Sequence, residues 1–77
     1  MTYRTLRELL TPREFQIVAL VAQGHVNKEI GGALKVTEHT VKNHLMRIFQ
    51  KATGCSNRTS LAVRYVREEE CAQAVKP

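Results

Sequence analysis

Apolar residues recur at helical spacing along most of the chain. The clearest series predicts an amphipathic helix over residues 38–53, with apolar positions at i, i+4, i+7, i+8 and i+11. These inward residues are Val41, Leu45, Ile48, Phe49 and Ala52. The opposite face carries donors and long side chains without a carboxylate: His39, Lys42, Asn43, Met46, Arg47 and Gln50. One face of this helix is therefore expected in the core and the other in solvent.

Start signals predict an earlier helix over residues 12–23. Thr11 can cap it, Pro12 suits its first turn, and Glu14 can complete a capping box with Thr11. The expected inward residues, again at helical spacing, are Phe15, Val18, Ala19 and Ala22. Gly24 is expected to end the helix in a left-handed conformation.

A short helix is predicted between these two, with Asn27 as its N-cap. Its inward residues are Ile30, Ala33 and Leu34. Because each glycine of Gly31-Gly32 costs about 1 kcal/mol in a helix interior, either this helix is marginal or another backbone comes close to it. Lys35-Val36 is expected to form the turn, and Thr37 to cap the next helix.

A last helix is predicted from a cap at Ser56 or Asn57 to about Glu69, after a stop at Gly54. Its inward residues are Leu61, Ala62 and Tyr65. The leader 1–9 has Tyr3, Leu6 and Leu9 at helical spacing and could add a turn or short helix, whereas the tail 71–77 is expected to fray. We expect an all-α fold, a four-helix bundle, with the domain spanning 10–70.

Composition favours one small binding domain over an enzyme. A chain of 77 residues that is 43% hydrophobic supports a single core with little room for a catalytic cleft. No nucleophile–base pair, glycine-rich phosphate loop or metal-ligand cluster is apparent, and Cys55 and Cys71 are interpreted as free thiols. We therefore expect no enzymatic activity, no metal and no cofactor. With neither an apolar span nor a signal peptide, a cytoplasmic protein without a membrane partner is expected.

The net charge of +5 is concentrated in the middle of the chain. Residues 37–67 carry six basic and one acidic side chain, whereas residues 68–77 carry one basic and three acidic ones. A basic block in a small domain favours a polyanionic partner such as nucleic acid, although solvated charged helix faces are common. A short helix, a tight turn and an amphipathic helix with a basic outer face form the pattern of a helix-turn-helix, which places its second helix in the DNA major groove.

Several separated blocks resemble the DNA-binding domain of LuxR/FixJ-type regulators. The resemblance covers about residues 10–66. Its blocks are Leu10-Thr11-Pro12-Arg13-Glu14, Gly24, Asn27-Lys28-Glu29-Ile30, the run 34–44 from Leu34 to His44, Ile48, Lys51 and Asn57-Arg58-Thr59. It implies a four-helix transcription regulator that binds double-stranded DNA as a dimer, with its third helix in the major groove and its fourth at the dimer interface.

The resemblance also implies roles for individual residues. Base contacts fall on Lys42, Asn43 and Met46, and backbone contacts on Lys28, Thr37, Thr40, His44 and Lys51. Arg47 joins the backbone contacts because it lies where phosphates would run. Met46 departs from the usual long polar residue and could touch a thymine methyl group, and Gly31-Gly32 departs from the usual helix formers. His44, next to the buried stripe, could equally be a partly buried histidine with one hydrogen bond.

A strip on the last helix is a candidate dimer interface. It comprises Thr59, Val63, Val66 and Arg67, away from the inward residues, although Val63 could be an ordinary surface valine. We expect a weak homodimer that forms mainly on DNA, with RNA polymerase as a further candidate partner. A helical protein-interaction module is the alternative function. The chain could be a free-standing regulator or a fragment of a longer one.

Overall fold

The computed structural model describes residues 4–74, with side chains through Cys71. This part of the chain contains five helices and no strand. They are α1 (Leu6–Leu9), α2 (Pro12–Ala22), α3 (Asn27–Leu34), α4 (Glu38–Lys51) and α5 (Arg58–Ala74). The all-α fold class is confirmed. In addition to the four predicted helices, the structure has a fifth, α1, which lies in the leader.

The caps of α2 and α4 form as predicted. The Thr11 hydroxyl accepts a hydrogen bond from the Glu14 N–H at 3.2 Å, and Glu14 Oε1 accepts one from the Thr11 N–H at 2.9 Å. The Thr37 hydroxyl accepts from the Thr40 N–H at 3.1 Å. These bonds satisfy N–H groups that have no partner within their own helix.

The predicted cap of α3 is wrong, and the alternatives at α5 are resolved. Val26 is the N-cap of α3, with Glu29 Oε1 accepting from the Val26 N–H at 3.0 Å. The Asn27 side chain instead accepts a hydrogen bond from Arg58 across the fold. At α5, Asn57 Oδ1 accepts from the Ser60 N–H at 2.8 Å, so Asn57 is the capping side chain rather than Ser56.

Helix ends differ from the predictions by one to five residues. Gly24 and Gly54 follow α2 and α4 with φ of +94° and +93°, as glycine stop signals should. α4 ends at Lys51, two residues before the predicted Thr53, whereas α5 continues to Ala74, five residues beyond the predicted Glu69. Residues 71–74, expected to fray, are helical.

α2 lies at the centre of the bundle and packs against all four other helices. Its buried residues are Glu14, Ile17, Val18 and Val21, so the predicted stripe of Phe15, Val18, Ala19 and Ala22 is rotated by one position. Phe15 lies at the edge of the core, where the Arg7 guanidinium stacks over its ring at 4.5 Å. The inward stripe of α4 is confirmed: Val41, Leu45, Ile48 and Ala52 are buried, and Phe49 packs against the core.

The leader forms a short helix, α1, whose Leu6 is part of the core. Leu6 is fully buried, and its N–H donates to Glu68 Oε1 at 2.7 Å. Arg64 bonds both Glu68 Oε2 at 2.9 Å and the Arg4 carbonyl oxygen at 2.7 Å. These bonds fasten the start of α1 to α5. Tyr3 of the predicted leader pattern lies outside the described residues.

The turn between α3 and α4 requires a close approach of two backbones. The Gly31 carbonyl oxygen accepts hydrogen bonds from the N–H groups of Lys35 and Val36, and Lys35 adopts a left-handed conformation with φ of +59°. A Cβ atom on Gly31 would lie 2.8 Å from the Val36 carbonyl oxygen, whereas one on Gly32 would meet nothing within 4 Å. Of the two explanations for Gly31-Gly32, close approach holds at Gly31 only.

Substitution by alanine should therefore change the stability of the domain in opposite directions at the two glycines. Gly31→Ala should destabilise the domain by about 1–3 kcal/mol, because the new methyl group would push on backbone that cannot easily yield. Gly32→Ala should stabilise it by roughly 0.5–1 kcal/mol, because alanine favours a helix and has open space here. Thermal unfolding of both variants measures these shifts, and an equal response at the two positions would contradict the close approach.

Candidate nucleic-acid interface

The outer face of α4 is polar and basic. The predicted base-contact residues Lys42, Asn43 and Met46 are all exposed, as is Arg47. They lie on the face opposite the buried residues Val41, Leu45 and Ile48, and the sequence has no carboxylate from 39 to 51. This arrangement presents hydrogen-bond donors and positive charge to a negatively charged partner.

Two threonines organise the N-terminus of α4. Thr37 Oγ1 lies 2.9 Å from Thr40 Oγ1, and either hydroxyl can donate in this contact. Since the Thr37 oxygen already accepts the Thr40 N–H, one hydroxyl hydrogen of the pair remains for an acceptor outside it. The positive end of the helix dipole lies at the same place, so this end of α4 suits an anion such as a phosphate.

Lys51, at the C-terminal end of α4, pairs with a buried carboxylate. Lys51 Nζ lies 2.8 Å from Glu14 Oε1, whose residue is only 4% exposed. The same Glu14 oxygen accepts the Thr11 N–H, so it joins the start of α2 to the end of α4. Burial raises the pKa of the Glu14 carboxyl, but the hydrogen bonds from Lys51 and Thr11 and the charge of Lys51 outweigh it and lower the pKa overall.

Arg58 fixes the start of α3 to α5. Its guanidinium donates to Asn27 Oδ1 at 2.6 Å and to the His25 carbonyl oxygen at 2.5 Å. The next residue on α3, Lys28, is exposed. No local pattern in the sequence indicates this role of Arg58, because the two hydrogen-bonded partners lie 31 and 33 residues away along the chain. These two hydrogen bonds of Arg58 position the exposed Lys28 relative to the rest of the bundle.

The remaining predicted contact residues differ in exposure. Thr37 is exposed, whereas Thr40 and His44 are half-buried. The half-buried position of His44 fits both a contact to a partner and a partly packed ring, so the two alternatives stay open. His39, at the start of α4, is exposed.

The predicted dimer strip on α5 is exposed along its length. Val63 and Val66 expose 49% and 43% of their surface, and Thr59 and Arg67 are exposed as well. A shallow groove of about 380 Å³ includes Val63, Val66 and Arg67 of this strip and is also lined by Ala62 and Glu70. Two apolar side chains one turn apart, flanked by charge, leave a surface that another protein could cover.

Among the described residues, no group of three or more His, Cys, Asp or Glu side chains is placed to hold a metal ion. In the same part of the chain, no helix has the length and apolar character needed to cross a membrane. Cys55 is buried and Cys71 is exposed, and both are free thiols.

A tight α3–α4 turn and an exposed basic second helix define the class of the domain as a helix-turn-helix. Residues 8–65 match the family model described as bacterial regulatory proteins, luxR family, which covers more than half of the chain. The chain belongs to this family of bacterial DNA-binding transcription regulators.

Curated relatives include bacterial regulators from several species. The chain is 48% identical over 56 residues to the transcriptional regulatory protein LiaR of Bacillus subtilis, covering 73% of this chain and 26% of LiaR. It is 38% identical over 65 residues to the transcriptional regulatory protein DegU of Brevibacillus brevis, covering 84% of this chain and 27% of DegU. It is 46% identical over 46 residues to the response regulator protein VraR of Staphylococcus aureus, covering 60% and 22%.

The chain thus spans about a quarter of the length of these relatives. No solved structure matches it significantly.

The Glu14–Lys51 pair predicts a specific pH dependence of stability. Because the pKa of Glu14 in the fold is below its ordinary value of 4.5, its stabilisation is complete above the unfolded pKa and is lost as pH falls through the folded pKa. Glu14→Gln should cost about 1–3 kcal/mol at pH 7, since the buried site loses its charge-assisted hydrogen bonds. The difference from wild type should shrink as pH falls from 6 to 3.

Chemical denaturation across this pH range measures the difference. Glu29→Gln is the control, since Glu29 also has a lowered pKa, from its hydrogen bonds with Val26 and His25, but is exposed. Removal of the Glu29 carboxylate should change the pH dependence of the free energy of unfolding less than removal of the Glu14 carboxylate. A deficit in Glu14→Gln that stays constant from pH 6 to 3 would contradict the role assigned to the carboxylate.

Proposed function

We propose that this domain binds specific sequences of double-stranded DNA by inserting α4 into the major groove, and so regulates transcription. The observation that carries the proposal is the outer face of α4, which is exposed, basic and free of carboxylates from residue 39 onward. The major groove of B-DNA is wide enough for one α-helix and presents a distinct pattern of donors and acceptors for each base pair.

Three exposed residues of α4 are proposed to contact base edges. Asn43 offers a donor and an acceptor that match adenine, and Lys42 reaches the acceptors of guanine. Met46 lies one turn further along the same face. Each well-formed polar contact supplies about 1–3 kcal/mol of discrimination against a wrong base.

A second set of residues is proposed to contact the sugar-phosphate backbone. These residues are Lys28, Thr37, Thr40, His44, Arg47 and Lys51. Thr37 and Thr40 have the hydroxyl hydrogen and the helix N-terminus that an acceptor phosphate needs. Lys51 already neutralises Glu14, so we expect it to contribute less to the salt dependence of binding than Lys28.

The dimer is proposed to form through the α5 strip of Thr59, Val63, Val66 and Arg67. Its apolar part consists of Val63 and Val66 alone, which favours a weak contact that forms mainly when two half-sites on DNA hold two copies together. A regulator of this kind would act in the bacterial cytoplasm, with RNA polymerase as a further partner. Membership of the luxR family and the names of the relatives support the regulatory role.

Two substitutions separate base recognition from backbone contact. Sites selected from randomised duplex DNA supply the target, and binding is then measured against salt concentration. Asn43→Ala should relax the preference at one base position per half-site and leave non-specific affinity nearly unchanged. Lys28→Ala should weaken all sequences about equally and flatten the slope of log K against log salt by roughly 0.9.

An unchanged selected motif for Asn43→Ala would show that α4 docks in another register. If wild-type binding shows no sequence preference, the proposed function fails. In that case, retained binding to a protein partner in nuclease-treated extract would favour an interaction module.

The dimer strip has its own test. Val63→Glu would place like charges across a two-fold axis and should abolish cooperative binding to a duplex with two half-sites about one helical turn apart. Binding to a single half-site and thermal stability should change little, because Val63 is 49% exposed. Gln16→Glu adds the same charge to an exposed position of α2 and is the matched control. Unaltered cooperativity in Val63→Glu would place any dimer axis elsewhere.

A further inference from the structure

Met46 is a large apolar side chain in the middle of a polar face. It exposes 55% of its surface, and no other residue of α4 is among the large exposed hydrophobic residues of the described chain. The remaining large exposed hydrophobic residues are Val26, which precedes α3, and Val63 and Val66, which lie on α5. Packing in the core does not account for Met46, since the buried residues of α4 lie on its opposite face.

Two neighbours of Met46, Lys42 and Asn43, are proposed base-contact residues, whereas Gln50 is not among them. Lys42 and Asn43 lie four and three residues before it, and Gln50 lies four residues after it, all exposed on the same face. When α4 enters the major groove, Met46 must therefore lie against the edges of the bases. Its thioether has no hydrogen to donate and is only a weak acceptor, so it cannot replace the hydrogen bonds that water makes with polar base edges.

The major groove offers one kind of apolar group at this depth. Base edges there carry donors and acceptors, and the one apolar group that projects from them is the methyl group on C5 of thymine, where cytosine has only a C–H. A 5-methylcytosine carries the same group at the same ring position. Burying a flexible methionine against such a methyl group removes apolar surface from water on both sides, whereas burying it against any other edge removes water from a polar atom.

We propose that Met46 is a specificity-determining residue that recognises the 5-methyl group of a pyrimidine in the DNA half-site. The inference rests on the proposed docking of α4 in the major groove. Four residues advance about 6 Å along a helix, and successive base pairs are about 3.4 Å apart, so the methylated base lies within about two base pairs of those contacted by Lys42 and Asn43.

Removal of single methyl groups tests the contact directly. Starting from the selected half-site, each thymine is replaced in turn by uracil, which lacks only the 5-methyl group, and affinity is measured by fluorescence anisotropy. At one position, wild type should bind about 3- to 5-fold more weakly, as expected for one methyl group no longer buried. Met46→Ala should bind thymine and uracil duplexes equally at that position.

Gln50→Ala is the matched control, because Gln50 lies on the same face one turn away. It should retain the wild-type preference for thymine over uracil. Both residues are exposed, so circular dichroism and thermal unfolding should show that both variants keep the fold.

The source of the methyl group is distinguished at the same base pair. That base pair is replaced first by a cytosine–guanine pair and then by a 5-methylcytosine–guanine pair. These two duplexes differ only in the methyl group. Tighter binding of the methylated duplex by wild type, but not by Met46→Ala, supports recognition of the methyl group from either base. A uracil penalty with no gain from 5-methylcytosine supports thymine as the only source.

Failure of this inference differs from failure of the proposed function. If wild type binds its selected site specifically but no thymine-to-uracil replacement affects it more than Met46→Ala, the role of Met46 is overturned and DNA recognition stands. If wild type prefers no sequence at all, the docking of α4 itself is overturned.

Discussion

A single buried carboxylate connects the interior of this domain to its exposed surface. Glu14 lies in the core-facing stripe of α2, and its Oε1 atom receives both the Thr11 N–H and the Lys51 ammonium. A buried charge is costly unless it is paired and hydrogen-bonded, so the fold must bring the end of α4 to the start of α2. This contact fixes the position of the C-terminal end of α4 relative to α2, and with it the direction in which the outer face of α4 points.

Two further constraints act on α3, the helix that precedes α4 across the tight turn. At Gly31 the backbone of α3 comes so close to the turn that a side chain would not fit, and Lys35 takes a left-handed conformation to complete that turn. Arg58 holds the start of α3 to the start of α5 through a side-chain oxygen and a backbone oxygen. The exposed face of α4 thus rests on a scaffold fixed at both ends, and a rigid helix is what accurate contact to base edges requires.

Local signals in the sequence predicted most of the helices but few of the contacts between them. The Thr11 and Thr37 caps, the glycine stops and the inward stripe of α4 each depend on residues within two or three turns, and the structure confirms them. The stripe of α2 was misplaced by one position because its buried face includes the charged Glu14, which interrupts the apolar pattern. Four surrounding helices also cover more of α2 than one stripe.

Contacts between residues far apart along the chain cannot be predicted from local sequence patterns. Lys51 and Glu14 are 37 residues apart, and Arg58 and Asn27 are 31 residues apart, so neither spacing indicates a contact. The sequence predicts Asn27 as a cap because asparagine often is one, but its side chain bonds Arg58 across the fold and Val26 occupies the cap position. At the candidate interface, exposure agrees with the predicted face of α4, while the individual contacts to DNA remain predictions.

The attachment of α1 has a consequence for the order in which the domain assembles. The bonds from Glu68 to the Leu6 N–H and from Arg64 to the Arg4 carbonyl oxygen join residues 62 and 60 positions apart, nearly the whole length of the described chain. Closing a loop of that size costs more conformational entropy than any of the helix–turn–helix contacts. We therefore expect α1 to dock after the other helices have packed and to be the first to detach when the domain begins to unfold. Detachment would withdraw Leu6 from the core while leaving the α3–α4 turn intact, so the stability of the bundle and the geometry of α3 and α4 can vary separately.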